Sequence, residues 1–141
     1  NITMDKIVRR HMRKGYCCIF AFIFCYSCSC SDYGGNLGDG YFFRFEAGDL
    51  KDILCEIPNG GEIPANVFSY DYNRQFIIAK QKPLLPPDPL YDKEYHYPLG
   101  TDTIYYWIII KKEHIVLGPM SLDAFNDAKV KCHVPNDLKL D

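Results

Sequence analysis

The sequence predicts an α+β protein, in which a single antiparallel β-sheet of about six strands carries one C-terminal helix and follows a signal peptide. Three observations support this prediction. Short β-branched and aromatic runs alternate with turn residues along the body of the chain. One helical apolar stripe occurs near the C-terminus, and a basic and then apolar segment precedes the body. The 141 residues leave room for one such domain.

The N-terminal segment has the layout of an export signal. Up to residue 29 it holds five basic side chains and one acidic side chain, and residues 15–27 (GYCCIFAFIFCYS) are uncharged. This run is shorter than the roughly 20 apolar residues of a spanning helix, and small residues and cysteines follow it. We therefore expect residues 1–29 to be an over-extended start plus a lipoprotein signal peptide, with an uncleaved anchor helix or a core helix as alternatives. The spacing leaves Cys28 and Cys30 open as the lipidated cysteine.

The body of the chain is acidic. From Cys30 onward it has 11 basic and 17 acidic side chains, a net charge of −6. This balance excludes nucleic acid as an expected partner, because binding to phosphates needs a basic surface. The glycines of residues 34–40 lack the Lys-Ser/Thr of a nucleotide loop, and no nucleophile elbow occurs. We therefore expect no cofactor, no metal and no catalytic residue.

The elements of the body follow in order. Residues 30–40 (CSDYGGNLGDG) predict a glycine-rich tether, and residues 41–141 a single α+β domain. The predicted strands are 41–46, 52–57, 67–72, 75–80, 103–111 and 114–117. Asn73-Arg74 predicts a hairpin turn, and Gly118-Pro119 is expected to end the last strand. The run TIYYWIIIK at 103–111 is the strongest strand, which predicts a central position with both faces covered.

The C-terminal helix is predicted from its capping and charge pattern. Ser121 is the expected N-cap, Asp123 lies in the first turn, and Lys129 and Lys131 lie near the end. The predicted apolar stripe consists of Leu122, Phe125, Ala128 and Val130.

Two cysteines, Cys55 and Cys132, lie in the predicted domain of residues 41–141. Outside the cytosol the pair could form a disulfide that closes a loop of nearly eighty residues. The other interpretation is two separately buried thiols, because Cys55 alternates with isoleucines on an apolar strand face.

The long segment 82–102 (KPLLPPDPLYDKEYHYPLGTD) carries five of the nine prolines, and such loops are often functional. Asp92, Glu94 and His96 are spaced at alternate residues among its tyrosines and could present ligands for a hard metal from one side of an extended segment. A solvated acidic loop with its tyrosines packed on the sheet is the second interpretation. Contact with a partner or glycan is the third, because tyrosines offer large amphipathic area. The tyrosines concerned are Tyr91, Tyr95 and Tyr97.

Four stretches resemble a family of small, uncharacterised bacterial lipoproteins with a domain of unknown function. They are CSDYGGNLGDGY from Cys30, NVFSYDYNRQFIIAKQ from Asn66, IYYWII from Ile104 and GPMSLDAF from Gly118. The resemblance implies export, lipidation at Cys30 and a single small domain. It carries no activity and no catalytic residue.

These observations together predict a lipid-anchored protein of the bacterial cell envelope, facing outside the cytoplasm. We expect a binding or structural module that is held at the membrane by its lipid and that contacts an envelope protein or glycan. The alternative is a small metal-dependent or hydrolytic enzyme that uses Asp92, Glu94 and His96.

Overall fold

The computed structural model describes residues 33–46 and 48–141. These residues belong to one unit that spans Asp32–Asp141. The predicted signal peptide and the predicted lipid acceptor Cys30 lie outside the described residues.

The described chain forms seven strands and one α-helix in two antiparallel sheets. The first sheet has the order β1-β2-β3 and the second the order β4-β5-β6-β7. The prediction of a single sheet of about six strands was therefore wrong, whereas the mostly β composition with one C-terminal helix is confirmed. The elements are β1 (Tyr33–Gly38), β2 (Tyr41–Phe45), β3 (Lys51–Cys55), β4 (Val67–Tyr72), β5 (Phe76–Gln81), β6 (Tyr105–Ile110), β7 (Ile115–Met120) and α1 (Leu122–Lys131).

The two apolar faces of the four-stranded sheet explain why a three-stranded sheet packs on it. Successive residues of a strand point to opposite faces, and β6 (YYWIII) is apolar on both. Trp107 and Ile109 pack into a core with β1, β2 and β3, whereas Ile108 packs into a second core with Phe125 of α1. One helix covers one face of a sheet only, so the first sheet covers the other. The predicted central strand with two covered faces is confirmed.

Strand β1 replaces most of the predicted tether of residues 30–40. Leu37 is buried in the core between the sheets, and β1 pairs with β2. A Cβ added at Gly34 would lie 2.1 Å from Cδ1 of Phe43, so this glycine allows close packing rather than flexibility. The glycine content of the segment therefore predicted the wrong structure.

The hairpin of β4 and β5 is confirmed, and Asn73 closes its turn by accepting hydrogen bonds from the N–H groups of Gln75 and Phe76, each at 2.8 Å. Strand β7 runs through Gly118-Pro119 to Met120, so the predicted end of that strand was wrong. Because β7 is an edge strand, a proline without an N–H group is tolerated there.

The helix begins as predicted, since Oγ of Ser121 accepts a hydrogen bond from the N–H of Ala124 at 3.2 Å. Its apolar stripe is narrower than predicted. Phe125 is buried, whereas Leu122 is half-exposed and Val130 is 76% exposed. No helix in the described part of the chain is long and apolar enough to cross a membrane.

The strands define two ends of the domain. The turns at residues 38–40, 73–75 and 111–114 lie together at one end, which we call the turn end. At the other end, the loop end, β1 begins with Tyr33 opposite Arg44, and residues 82–102 connect β5 to β6.

Candidate functional site

The loop of residues 82–102 is fastened to the first sheet by a largely buried cluster of charged side chains. Arg44 and Asp52 face each other on β2 and β3. Nε of Arg44 donates to Oδ1 of Asp52 at 2.9 Å, and Nη2 donates to Oδ2 at 2.5 Å. The same Nη2 donates to Oδ2 of Asp88 in the loop at 2.9 Å. Because a buried charge is costly without a partner, this pairing also fixes the position of the loop.

Hydrogen bonds shift the pKa values of two members of this cluster, Arg44 and Asp88. The hydrogen bond from Arg44 to Asp52 raises the pKa of the guanidinium further above its usual range. The N–H of Leu90, and then Arg44, lower the pKa of the Asp88 carboxyl. Arg44 and Asp88 therefore stay charged at neutral pH.

Tyr91 extends the cluster towards the second sheet. Its hydroxyl donates to Oδ2 of Asp52 at 2.6 Å and accepts from the N–H of Ala65 at 2.8 Å. Burial, and then the hydrogen bond to Asp52, raise the pKa of Tyr91 well above its usual value. The hydroxyl therefore acts as a neutral bridge between the loop, β3 and the segment that directly precedes β4.

Tyr95 holds the middle of the loop against the core. Its ring meets Trp107 edge to face, with 5.4 Å between ring centroids, and its hydroxyl donates to the carbonyl of Glu62 at 3.4 Å. Burial raises the pKa of Tyr95, as does the charge of Glu62. Glu62 is itself buried, and its Oε1 accepts from the N–H of Asp92 at 2.9 Å. The backbone of the loop is thus held as well as its side chains.

Tyr97 is held by a buried glutamine. Nε2 of Gln81 donates to the Tyr97 hydroxyl at 2.9 Å and to the carbonyl of Ala65 at 3.2 Å, while its Oε1 accepts from Nε1 of Trp107 at 2.9 Å. The Tyr97 ring also lies 5.1 Å from the ring of Tyr105, centroid to centroid. All three tyrosines of the loop therefore point towards the domain.

Asp92, Glu94 and His96 alternate with these tyrosines and are exposed. Their side chains extend into solvent, as expected for the outer side of an extended segment whose inner side is packed. Among the described residues, no group of three His, Cys, Asp or Glu side chains could hold a metal ion. The tyrosines pack on the domain and the three polar side chains are solvated, which is the arrangement that the second interpretation describes.

The outer side of the loop also exposes apolar side chains. Leu85, Leu90 and Leu99 are 56%, 71% and 60% exposed. A loop that is held internally by a buried ion pair and three tyrosines thus presents three leucines and three polar side chains to solvent. This outer side, defined by Leu85, Leu90, Asp92, Glu94, His96 and Leu99, is called the loop surface below.

The two cysteines of the body are free thiols on opposite faces of the second sheet. Cys55 packs against the core between the sheets, and Cys132 packs against the core under the helix. Burial raises the pKa of the Cys55 thiol, which keeps it protonated. The interpretation of two separate thiols therefore agrees with the structure, and the disulfide does not.

Sequence reasoning missed Arg44, Asp52 and Glu62, which lie on different elements and meet only in the folded chain. Asp52 begins the predicted strand 52–57, and nothing in the sequence marks it as the fully buried residue that it is. Its proximity to Arg44 follows from the register of β2 and β3, which the sequence does not mark. The sequence also does not mark His114, whose Nδ1 lies 3.1 Å from the Tyr41 hydroxyl.

Comparison with known proteins places this site in a family without a known activity. Residues 55–141 match the family described as "Protein of unknown function (DUF3997)". The match covers the loop and the whole second sheet. No curated protein and no solved structure matches the chain.

Proposed function

The chain belongs to this family of proteins of unknown function, DUF3997, and from that premise we propose that it is a lipid-anchored binding module of a bacterial cell envelope. Its loop surface contacts a protein partner. The observation that carries the proposal is the contrast between the inner and outer sides of residues 82–102. The inner side is fixed by the Arg44 cluster, Glu62 and Gln81, whereas the outer side exposes three leucines.

Such a loop is suited to binding because its conformation is already fixed in the unbound protein. Five prolines restrict its backbone, and its tyrosine hydroxyls are bonded within the domain. Binding therefore costs little loop entropy, which leaves more of the interaction energy as affinity. A loop that merely connected β5 to β6 could be far shorter and would not need exposed leucines.

The chemistry of the loop surface favours a protein over a glycan. Glycan binding relies on exposed aromatic faces and free polar groups, but the loop tyrosines point inward and their hydroxyls are used. Exposed leucines beside Asp92 and Glu94 instead suit a partner with an apolar patch and nearby basic side chains.

The position of the loop supports a partner close to the membrane. Tyr33 pairs with Arg44, and Arg44 contacts Asp88, so the start of β1 and the loop lie at the same end of the domain. Cys30 precedes Tyr33 by three residues, which span at most about 11 Å. A lipid on Cys30 would therefore direct the loop end towards the bilayer.

The enzymatic alternative has less support. Asp92, Glu94 and His96 face solvent and do not converge on a cavity in the part of the chain that the structure describes. General acid–base chemistry needs a positioned pair of groups in a sheltered site.

The partner is tested by site-specific photo-crosslinking in the native envelope. A photoreactive residue at Leu90 is expected to give a discrete adduct that is absent when the same residue replaces Leu122, a half-exposed leucine on the helix. Adding Leu85→Ser and Leu99→Ser should remove the adduct without changing the thermal unfolding of the domain. Equal adducts at Leu90 and Leu122, or none at Leu90, would contradict the proposal.

The anchor is tested separately by metabolic labelling with a fatty acid. We expect Cys30→Ala to abolish the label and Cys28→Ala to retain it. Label that survives Cys30→Ala but disappears with Cys28→Ala would move the acceptor to Cys28. Absence of label on the unaltered protein would remove the lipid anchor from the proposal.

A further inference from the structure

A pocket lies at the turn end of the domain, away from the loop surface. It is lined by the turns at residues 38–39, 73–75 and 111–112 and has a volume of about 710 Å³. Pockets of roughly 300–1,000 Å³ hold small organic ligands. The proposed function makes no use of this pocket.

Lys111 is a buried cation at this pocket. It is 3% exposed, its Nζ donates to the carbonyl of Leu37, and it lies 5.7 Å from the centroid of the Tyr72 ring. No carboxylate lies within ion-pair distance of it among the described residues, although Asp39 acts on it through space. A lysine is almost never buried so completely without a paired charge. An ammonium that is bonded only to a carbonyl and a ring retains capacity for an anion.

The turn at Gly38 leaves that ammonium accessible from the pocket. A Cβ at Gly38 would lie 2.9 Å from Nζ of Lys111, and its φ of +89° is in the left-handed region that favours glycine. Every other residue type would place side-chain atoms against the charge. The absence of a side chain at this position therefore keeps one side of the ammonium open.

Two further cations line the same pocket. Arg74 and Lys112 are exposed and form no ion pair within the described chain. Against the single acid Asp39, the pocket has three basic side chains in a body whose net charge is −6. Positive charge is thus concentrated where the remainder of the domain is acidic. Burial lowers the pKa of Lys111, and an anion bound beside it would oppose that effect.

From this arrangement we infer that the turn-end pocket binds a small, soluble molecule that carries a phosphate group. Lys111 contacts the phosphate from the buried side, while Arg74 and Lys112 close on it from the surface. Three cations match a dianion better than a single carboxylate, and a guanidinium donates two parallel hydrogen bonds to phosphate oxygens. The volume of the pocket leaves room for an organic group beside the phosphate.

The position of the pocket favours a soluble phosphate over a lipid headgroup. Gly38 and Tyr33 are at opposite ends of the six-residue strand β1, about 17 Å apart. The pocket and the start of β1 therefore lie at opposite ends of the domain. A membrane that is reached from the start of β1 lies far from this pocket.

The test is calorimetric titration of the purified full chain with inorganic phosphate and glycerol 3-phosphate, with acetate at matched ionic strength as the control. We expect saturable binding of both phosphates, with a dissociation constant of about 1 mM or tighter, and none of acetate. Arg74→Gln combined with Lys112→Gln should weaken binding at least about tenfold, because two of three cations are lost. The control pair Lys93→Gln and Lys131→Gln also removes two exposed positive charges, but these lie outside the pocket. It should change the dissociation constant for phosphate by less than about twofold.

A third variant tests the buried cation itself. Gly38→Ala leaves all three charges in place but puts a methyl group against Nζ of Lys111, so it should weaken phosphate binding while circular dichroism shows an intact fold. Absence of saturable phosphate binding would overturn the inference. An equal loss of phosphate affinity in the pocket double variant and in the control double variant would overturn it as well. Binding confined to phosphatidylglycerol vesicles, compared with phosphatidylcholine vesicles, would assign the phosphate to a lipid and overturn the soluble ligand.

Discussion

Arg44 and Asp52 form a two-pronged ion pair across β2 and β3, with donor–acceptor distances of 2.9 and 2.5 Å. Asp52 is fully buried, and it also accepts from the Tyr91 hydroxyl, so one carboxylate joins the first sheet to the loop. The stability of the domain and the shape of its loop surface therefore depend on the same residue.

Replacing this carboxylate should be strongly destabilising. We expect Asp52→Ala to lower the free energy of unfolding by about 3–5 kcal/mol, because the largely buried Arg44 guanidinium is left without its main partner. Urea denaturation, monitored by circular dichroism, measures this free energy of unfolding. Glu46→Ala removes the exposed partner of Arg44, 3.5 Å from it, and should cost less than about 1 kcal/mol. Similar losses for both variants would show that the buried pair contributes little.

The buried tyrosines predict a loss of stability in alkali. Tyrosine ionises near pH 10 in an unfolded chain, whereas burial raises the pKa of Tyr91 and Tyr95 in the folded domain. Their contribution is fully present below about pH 10 and is lost as the pH rises from there towards the folded pKa. Tyr91→Phe and Tyr95→Phe should each reduce the slope of unfolding free energy against pH above pH 10. Leu90→Ser removes no titrating group and should leave the slope unchanged.

The two cores should respond separately to truncation. Ile108 packs under the helix and Ile109 packs between the sheets, and both are fully buried. We expect Ile108→Ala and Ile109→Ala each to lower the free energy of unfolding by about 2–5 kcal/mol, since each leaves a cavity. Ile115→Ala, at a side chain that is 43% exposed on the edge strand, should cost about 1 kcal/mol or less. A loss near zero for either buried isoleucine would mean that its face of β6 is uncovered.

Two neighbouring glycines distinguish a strand from a tether. A Cβ at Gly34 would lie 2.1 Å from Phe43, whereas a Cβ at Gly35 meets nothing within 4 Å. Gly34→Ala should therefore destabilise the domain by about 1–3 kcal/mol, and Gly35→Ala should change it by less than about 0.5 kcal/mol. Thermal unfolding of the Gly34→Ala and Gly35→Ala variants measures the difference in stability between them. Equal and negligible effects would mean that residues 33–38 do not pack on β2.

Most strands and the helix could be predicted from the sequence because their signals are local. Alternation, turn residues and an N-cap serine are properties of neighbouring residues, and Asn73 and Ser121 act as their types predict. The apolar character of both faces of β6 was also local. Two apolar faces require a covering layer on each side of β6. The predicted fold of one sheet and one helix supplied a layer for one side only.

The sequence by itself therefore determined the local elements, the central position of β6, and the division of loop 82–102 into alternating tyrosines and polar side chains. Only the tertiary structure decided that Gly34 marks a packed strand, that the sheets are two, and that Arg44, Asp52 and Tyr91 meet. The physical reason is distance along the chain. A cross-strand ion pair or a glycine under an aromatic ring depends on register and layer packing, which are set by the burial of the whole core and leave no local pattern.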